Sequence, residues 1–364
     1  MATPSPGTPG AVTPRVWLVT GYRAGERSQI LALAEALDWP YELKELSYRR
    51  SEFRTSLLRG SDLRGIRLDR SSALAPPWPD LVISAGMRNE PVCRWIRDQN
   101  AGRTRIVHLG RPWARPDNFD LIVTTPQYRL PAHPKVLHNV VTLHRLTPRR
   151  LAEAGELWAE RFAHLPKPWL AVILGGNSGP YTLGPKNAAS IARRVNRLAA
   201  AQGYSLLVTT SARTLSGAAR AFEDQLSVPY YFHHWRAQDP DNPYFGILAL
   251  CDAVVVTADS ISMLSEACAT GKPVYIADLG GYGYSMRPGH AAPRDFRFSA
   301  MIYSFMMACG PQRLSRDLRL VHRELVNSGR AVWLDETFTR PPVADCSDLE
   351  RAVQRVRTLF PGML

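Results

Sequence analysis

Five polar segments of this 364-residue chain combine residue types and spacings that could do chemistry. The richest is Thr257-Ala258-Asp259-Ser260-Ile261-Ser262-Met263-Leu264-Ser265-Glu266-Ala267, followed by Gly271-Lys272-Pro273. Read as a strand end entering a helix, it offers a diphosphate the Ser260 and Ser262 hydroxyls and the backbone N–H groups of the helix start, around Met263. Glu266, one turn on, is an acceptor-only carboxylate suited to a pair of ribose hydroxyls. The stretch Gly175-Gly176-Asn177-Ser178-Gly179 reads as a phosphate cradle of small residues. Thr209-Thr210-Ser211-Ala212-Arg213 adds hydroxyls and a cation. Gly21-Tyr22-Arg23-Ala24-Gly25-Glu26 permits close backbone approach, but it has neither the G-x-G-x-x-G spacing nor a Walker lysine. The fifth segment pairs Asp252 with Asn242-Pro243-Tyr244. Asp239-Pro240-Asp241 has the D-x-D form of a metal site, yet its QDPDNP context reads as a turn. No metal is therefore expected.

These segments matter because of what precedes each of them. VWLVT, DLVISAG, RIVHLG, FDLIVTT, WLAVILGG, SLLVTTS, PYYFHHW, AVVVTADS and KPVYIADL are apolar, β-rich runs, and helical patterns alternate with them. That is the signature of parallel-sheet α/β architecture. The expected helices are Ile30 to Leu37, Val92 to Gln99, Arg149 to Ala163, Asn187 to Gln202, Leu215 to Gln225, Ile261 to Thr270 and Ser347 to Leu359. Pro166-Lys167-Pro168 reads as a break between two such series. The expected organisation is a disordered tail over 1–14, a Rossmann-like acceptor domain over 15–165, a Rossmann-like nucleotide-sugar domain over 166–344 and a C-terminal helix over 345–364. The fold class is α/β, two facing Rossmann-like domains of GT-B type with a cleft. Ligands of such folds bind at the strand-to-helix loops, which is where the polar segments fall.

Composition narrows the partners. The chain carries 45 Lys and Arg against 32 Asp and Glu, a formal charge of +13, which favours an anionic partner. No nucleic-acid-binding motif accompanies that charge. Between Tyr48 and Arg70 seven arginines interleave with Phe53, Leu57, Leu58, Leu63, Ile66 and Leu68. Arg49 to Arg70 is thus a candidate surface for an anionic membrane or a lipid-linked acceptor, with a merely solvated face as the alternative. No apolar run approaches the roughly 20 residues of a membrane span, and the first 14 residues lack the features of a secretion signal. A cytoplasmic protein, peripheral at the inner face of the membrane, is expected. Cys93, Cys251, Cys268, Cys309 and Cys346 sit among apolar neighbours and read as buried free thiols.

The segments GYRAGERSQILALAEAL, LVISAGMRNEPVCRWIR, LLVTTSART and NPYFGILALCDAVVVTADSISMLSEACATGKPVYI resemble the elongated-mitochondria (ELM) family. That group holds plant mitochondrial-fission factors and bacterial relatives regarded as candidate glycosyltransferases. The resemblance runs from about Val16 to Leu334 and is most specific in the NPY…TADSISMLSEA…TGKP block. More distantly, the chain is similar to the lipid II-forming N-acetylglucosaminyltransferase of peptidoglycan synthesis. Gly25-Glu26 stands where that enzyme has a Gly-His on the acceptor side, with Ile30 to Ala34 in register. Its serine-rich helix start and ribose glutamate match Ser262 to Glu266. The resemblance implies a metal-independent, inverting transfer of a sugar from a nucleotide-diphosphate donor to a membrane-associated or glycan acceptor, with no cofactor beyond that co-substrate. Glu26 would be the base. The donor would be held by Gly175, Gly176, Asn177, Ser178, Thr210, Ser211, Arg213, Ser260, Ser262, Met263 and Glu266. A non-enzymatic membrane adaptor and a nucleotide-sugar epimerase using His233, His234 or His290 are the alternatives.

Overall fold

The computed structural model describes residues 13–21, 24–49, 60–280, 286–287, 289–290, 292–312, 315–339 and 347–361. Residues 1–12 of the expected tail over 1–14, Tyr22, Arg23, Cys346 and the 50–59 part of the arginine-rich segment lie outside them. The chain divides into two units, one of residues 1–124, 130–138 and 347–364, the other of residues 125–129 and 139–346.

The first unit is built on strands β1 (Val16–Thr20), β2 (Tyr41–Glu45), β3 (Leu81–Ala85), β4 (Arg105–Leu109), β5 (Leu121–Thr124) and β6 (Val136–His138). They form one parallel sheet in the order β2-β1-β3-β4-β5-β6. Helices α1 (Ala24–Leu37) and α2 (Glu90–Gln99) follow β1 and β3. Every residue of β1 and β3 is buried, as a parallel strand covered on both faces requires. β2, sequence YELKE, is an edge strand with exposed side chains. It carries no apolar signal.

The second unit holds α3 (Pro148–Phe162), β7 (Trp169–Ile173), α4 (Pro185–Gln202), β8 (Ser205–Thr209), α5 (Ser216–Glu223), β9 (Tyr230–His233) and α6 (Tyr244–Leu250). It continues with β10 (Ala253–Thr257), α7 (Ile261–Ala269), β11 (Val274–Ala277), α8 (Phe298–Cys309), α9 (Arg319–Asn327) and β12 (Val332–Trp333). The sheet order is β12-β11-β10-β7-β8-β9, all parallel, which is the Rossmann order 3-2-1-4-5-6 counted within the unit. The last helix, α10 (Ser347–Arg357), belongs to the first unit, where Arg357 donates to the Leu37 carbonyl and Phe360 meets Trp39 edge to face.

Pro166 to Pro168 lies inside the second unit rather than at its border, since α3 already belongs there. The reason is packing. Trp158 and Phe162 of α3 are buried in the second core, and Gly246 of α6 presses so closely on Trp158 that a side chain there would collide with the indole. Two further expectations need correction. Cys93, Cys251 and Cys268 are buried free thiols, but Cys309 is exposed. In the arginine-rich segment Ile66 is buried and Leu63 packs on the first core, so neither apolar residue is available to a membrane. Among the described residues no helix is long and apolar enough to cross a membrane.

Candidate nucleotide site

In the second sheet β7 pairs with β8 on one side and β10 on the other, so the strand order reverses between β7 and β10. The crevice at the carboxyl ends of two such strands is where open α/β sheets bind ligands. Three predicted loops meet there. Gly175 donates to Thr257 Oγ1 at 2.8 Å and Gly176 to Asp259 Oδ2 at 2.8 Å, tying the loop after β7 to the loop after β10. Ser211 Oγ, from the loop after β8, donates to the Gly175 carbonyl at 2.9 Å. A Cβ on Gly175 would strike the Asp259 carboxylate, and one on Gly176 the Arg213 carbonyl. These two glycines are therefore explained by loop meeting loop.

The same geometry separates predicted groups that are already engaged from those that are not. Asn177 Oδ1 accepts from Leu183 N–H at 3.0 Å, and Ser178 Oγ accepts from Arg316 at 2.7 Å. Thr210 Oγ1 accepts from Trp235 N–H at 2.8 Å. Arg213, half-exposed, pairs with buried Asp259 at 2.8 Å and reaches the Asn177 carbonyl at 3.2 Å. Asp259 thus puts a negative charge at the base of the expected cradle, and Arg213 cancels it.

Two helix starts follow the switch-point strands, and they differ. At α4 the Asp295 carboxylate accepts from the N–H groups of Gly184, Lys186 and Asn187 at 3.1, 3.0 and 2.9 Å. A side chain already sits where an anion would bind. At α7 the Ser260 side chain makes no cap bond, and Ser262 and Met263 are half-exposed in the first turn. Among the described residues no side chain caps the N–H groups of that turn, which with the positive end of the helix dipole suit an anion.

Glu266 lies on the same face as Ser262, one turn along, and is nearly buried. The Tyr244 hydroxyl donates to its Oε2 at 2.5 Å. Burial pushes the Glu266 carboxyl up to about 7, against the smaller opposing effects of the Tyr244 hydrogen bond and the Arg150 charge. Burial also raises Tyr244 well above its ordinary value, so it remains a donor. Because the folded state holds the Glu266 proton more tightly than the unfolded chain, this group's contribution to stability is full below the ordinary 4.5 and lost as pH rises through about 7. The melting temperature of Glu266→Gln is therefore expected to fall less than that of the parent between these two pH values. Parallel pH profiles would show that folding leaves this carboxyl's hold on its proton unchanged.

The remaining predicted residues have structural employment. Asp252 Oδ2 accepts from Trp169 N–H at 2.7 Å, fixing the start of β7. Asp239 and Asp241 point apart, the first to His233 at 2.9 Å and the second to Arg161 at 3.1 Å, with a turn bond of 3.1 Å from Asp241 N–H to Asp239. His234 pairs with Glu223 at 3.3 Å, and His290 with buried Asp278 at 2.6 Å. In the first unit Glu26 occupies the first turn of α1. Its carboxylate lies over Gly86, where a Cβ would come within 2.6 Å of Oε2 and where φ is +80°. Gly86 follows β3, and β1 and β3 flank that sheet's own order reversal. Sequence reasoning missed Asp295, Arg297 and Arg316, whose partners in the 178–187 segment lie more than 100 residues away along the chain. No local pattern marks them.

The two-unit fold is shared with solved nucleotide-sugar enzymes. The UDP-GlcNAc 2-epimerase of Methanocaldococcus jannaschii, in complex with UDP-GlcNAc and UDP, superposes with a TM-score of 0.51 at 13% identity, over 94% of this chain and 99% of that one. The mitochondrial fission protein ELM1 of Arabidopsis thaliana is 30% identical over 238 residues, which are 59% of this chain and 55% of that protein. This chain therefore spans little more than half of the plant relative. An uncharacterized protein of Rickettsia prowazekii is 24% identical over 293 residues, 72% of this chain and 82% of the relative. The model of the mitochondrial fission ELM1 family matches residues 24–295. The chain belongs to the mitochondrial fission ELM1 family.

Proposed function

We propose that the second unit binds a nucleotide-diphosphate sugar, and that the chain passes the sugar, with inversion and without a metal, to a membrane-associated or glycan acceptor at the cytoplasmic face of a membrane. One observation carries the donor half. Among the described residues the α7 start has no side-chain cap while the α4 start is filled by Asp295, and a buried carboxylate, Glu266, stands one turn further along α7. The diphosphate would lie on the first-turn N–H groups of α7 and the Ser260 and Ser262 hydroxyls. The ribose hydroxyls would donate to Glu266 beside Tyr244. The α7 dipole would hold the negative charge that builds on the departing diphosphate, work done elsewhere by a metal, and Arg213 would join it by turning from its pairing with Asp259. Glu26 would take the acceptor's proton. A binding-only role is the second reading, favoured by the fission function in the Arabidopsis relative's name, and it keeps the donor geometry while dispensing with Glu26.

The test is a thermal-shift screen of nucleoside diphosphates and their sugars in the presence of chelator. At 100 times its dissociation constant a ligand adds about 2.7 kcal/mol, or roughly 5–10 °C in a unit of this size. At least one nucleotide is expected to do so with chelator present. A shift that appears only after magnesium or manganese is added would overturn the metal-free mechanism, and no shift with any nucleotide would overturn the donor site.

A further inference from the structure

Helix α8 is built inside out. Its sequence, FSAMIYSFMMAC, contains no charged residue, and the residues it buries are Ala300 and Ser304. Its large apolar side chains face outward: Phe298 is 67% exposed, Phe305 69%, and Met301 and Ile302 nearly half, with Phe296 just ahead of the helix at 77%. Positions 298, 301, 302 and 305 fall on one helical stripe. A soluble helix normally turns such a stripe inward, and a cluster of this kind marks an interaction surface.

The helix is also firmly held. Arg297, at its start, donates to the Gly179 carbonyl at 2.5 Å, the Tyr181 carbonyl at 3.0 Å and Thr182 Oγ1 at 3.1 Å. The Tyr303 hydroxyl accepts from Arg316 N–H at 3.0 Å, and the Tyr303 ring lies against Gly179. The outward stripe is thus a fixed feature of the second unit.

Charge indicates the occupant. From Met286 to Arg316 the sequence holds Arg287, Arg294, Arg297, Arg313 and Arg316 against one acid, Asp295, which caps α4, while Arg287 pairs with Asp335 and Glu336 beyond that span. Arg294 is exposed beside Phe296. A second copy would bring the same arginines, and another +13, to the same face. An anionic bilayer offers acyl chains to the stripe and a headgroup to exposed Arg294, and its surface charge attracts a chain of +13. We propose that the Phe296–Phe305 face of α8 docks this protein in the interfacial layer of an anionic membrane. This surface belongs to the second unit and the arginine-rich segment to the first, and its docking does not depend on nucleotide binding.

The test is co-sedimentation of the full chain with phosphatidylcholine vesicles, with and without about one third phosphatidylglycerol. The double variant Phe298→Ser/Phe305→Ser changes exposed side chains only, and its melting temperature checks the fold. The parent is expected to bind the anionic vesicles more tightly than the neutral ones and to weaken with salt, and the variant to bind at least about tenfold less. A polarity-sensitive dye on exposed Cys309, in a Cys346→Ser background, is expected to shift to the blue with the same vesicles. Absence of vesicle binding by the parent, or equal binding by the variant, would overturn the proposal. So would a loss of self-association in the variant with vesicle binding unchanged, which would make the stripe a contact between copies.

Discussion

Glu266→Ala is expected to weaken nucleoside-diphosphate binding roughly tenfold to a hundredfold, because a hydrogen bond to a charged group contributes about 1.5–3 kcal/mol. The structure adds a second consequence. Tyr244 donates to this carboxylate from a partly buried position, and alanine leaves its hydroxyl without that acceptor. Stability should fall as well, by about 1–3 kcal/mol. Glu266→Gln separates the two effects, since the amide oxygen can still accept from Tyr244 while the charge is gone. It should keep most of the stability and lose most of the affinity, by calorimetric titration near pH 8, above the carboxyl's raised value of about 7. Unchanged dissociation constants in both variants would remove Glu266 from the site.

Glu26→Gln has the largest effect expected on catalysis. A carboxylate that takes the acceptor's proton contributes on the order of 10²–10⁴ in rate. Turnover should fall by that factor while nucleotide binding and melting temperature hold. The competing role is local: Glu26 stands in the first turn of α1, where a negative charge interacts well with the helix dipole, at most about 1 kcal/mol. Under that role the amide changes stability slightly and turnover hardly at all. Full activity in Glu26→Gln with a competent acceptor would end the base assignment. Glu90 is a poor substitute, because its buried carboxylate accepts from Trp113 N–H at 2.7 Å and Ala114 N–H at 3.0 Å.

The fold was legible wherever burial on both faces forced an apolar run. VWLVT, LVISA, WLAVI, SLLVT and AVVVT are wholly buried strands. It was illegible where that constraint lapses, in exposed YELKE at the sheet edge and three-residue VLH. Helix α8 hid for the opposite reason, since a helix with apolar residues outside and small ones inside shows no polar face to read. The polar loops were legible as strand ends, and three of them do converge. Their division of labour was not. Asp259 reaches Gly176 from 83 positions away and Asp295 reaches Gly184 from 111, so the spacing within either loop could not reveal which N–H groups were taken.

A crystal structure of the full chain with its tightest nucleoside diphosphate tests the central claim most directly. The expected result places the phosphates on the first-turn N–H groups of α7, within reach of Ser260, Ser262 and Arg213, with the ribose hydroxyls donating to Glu266. Nucleotide bound in the first unit, or seated at the α4 start in place of Asp295, would contradict it.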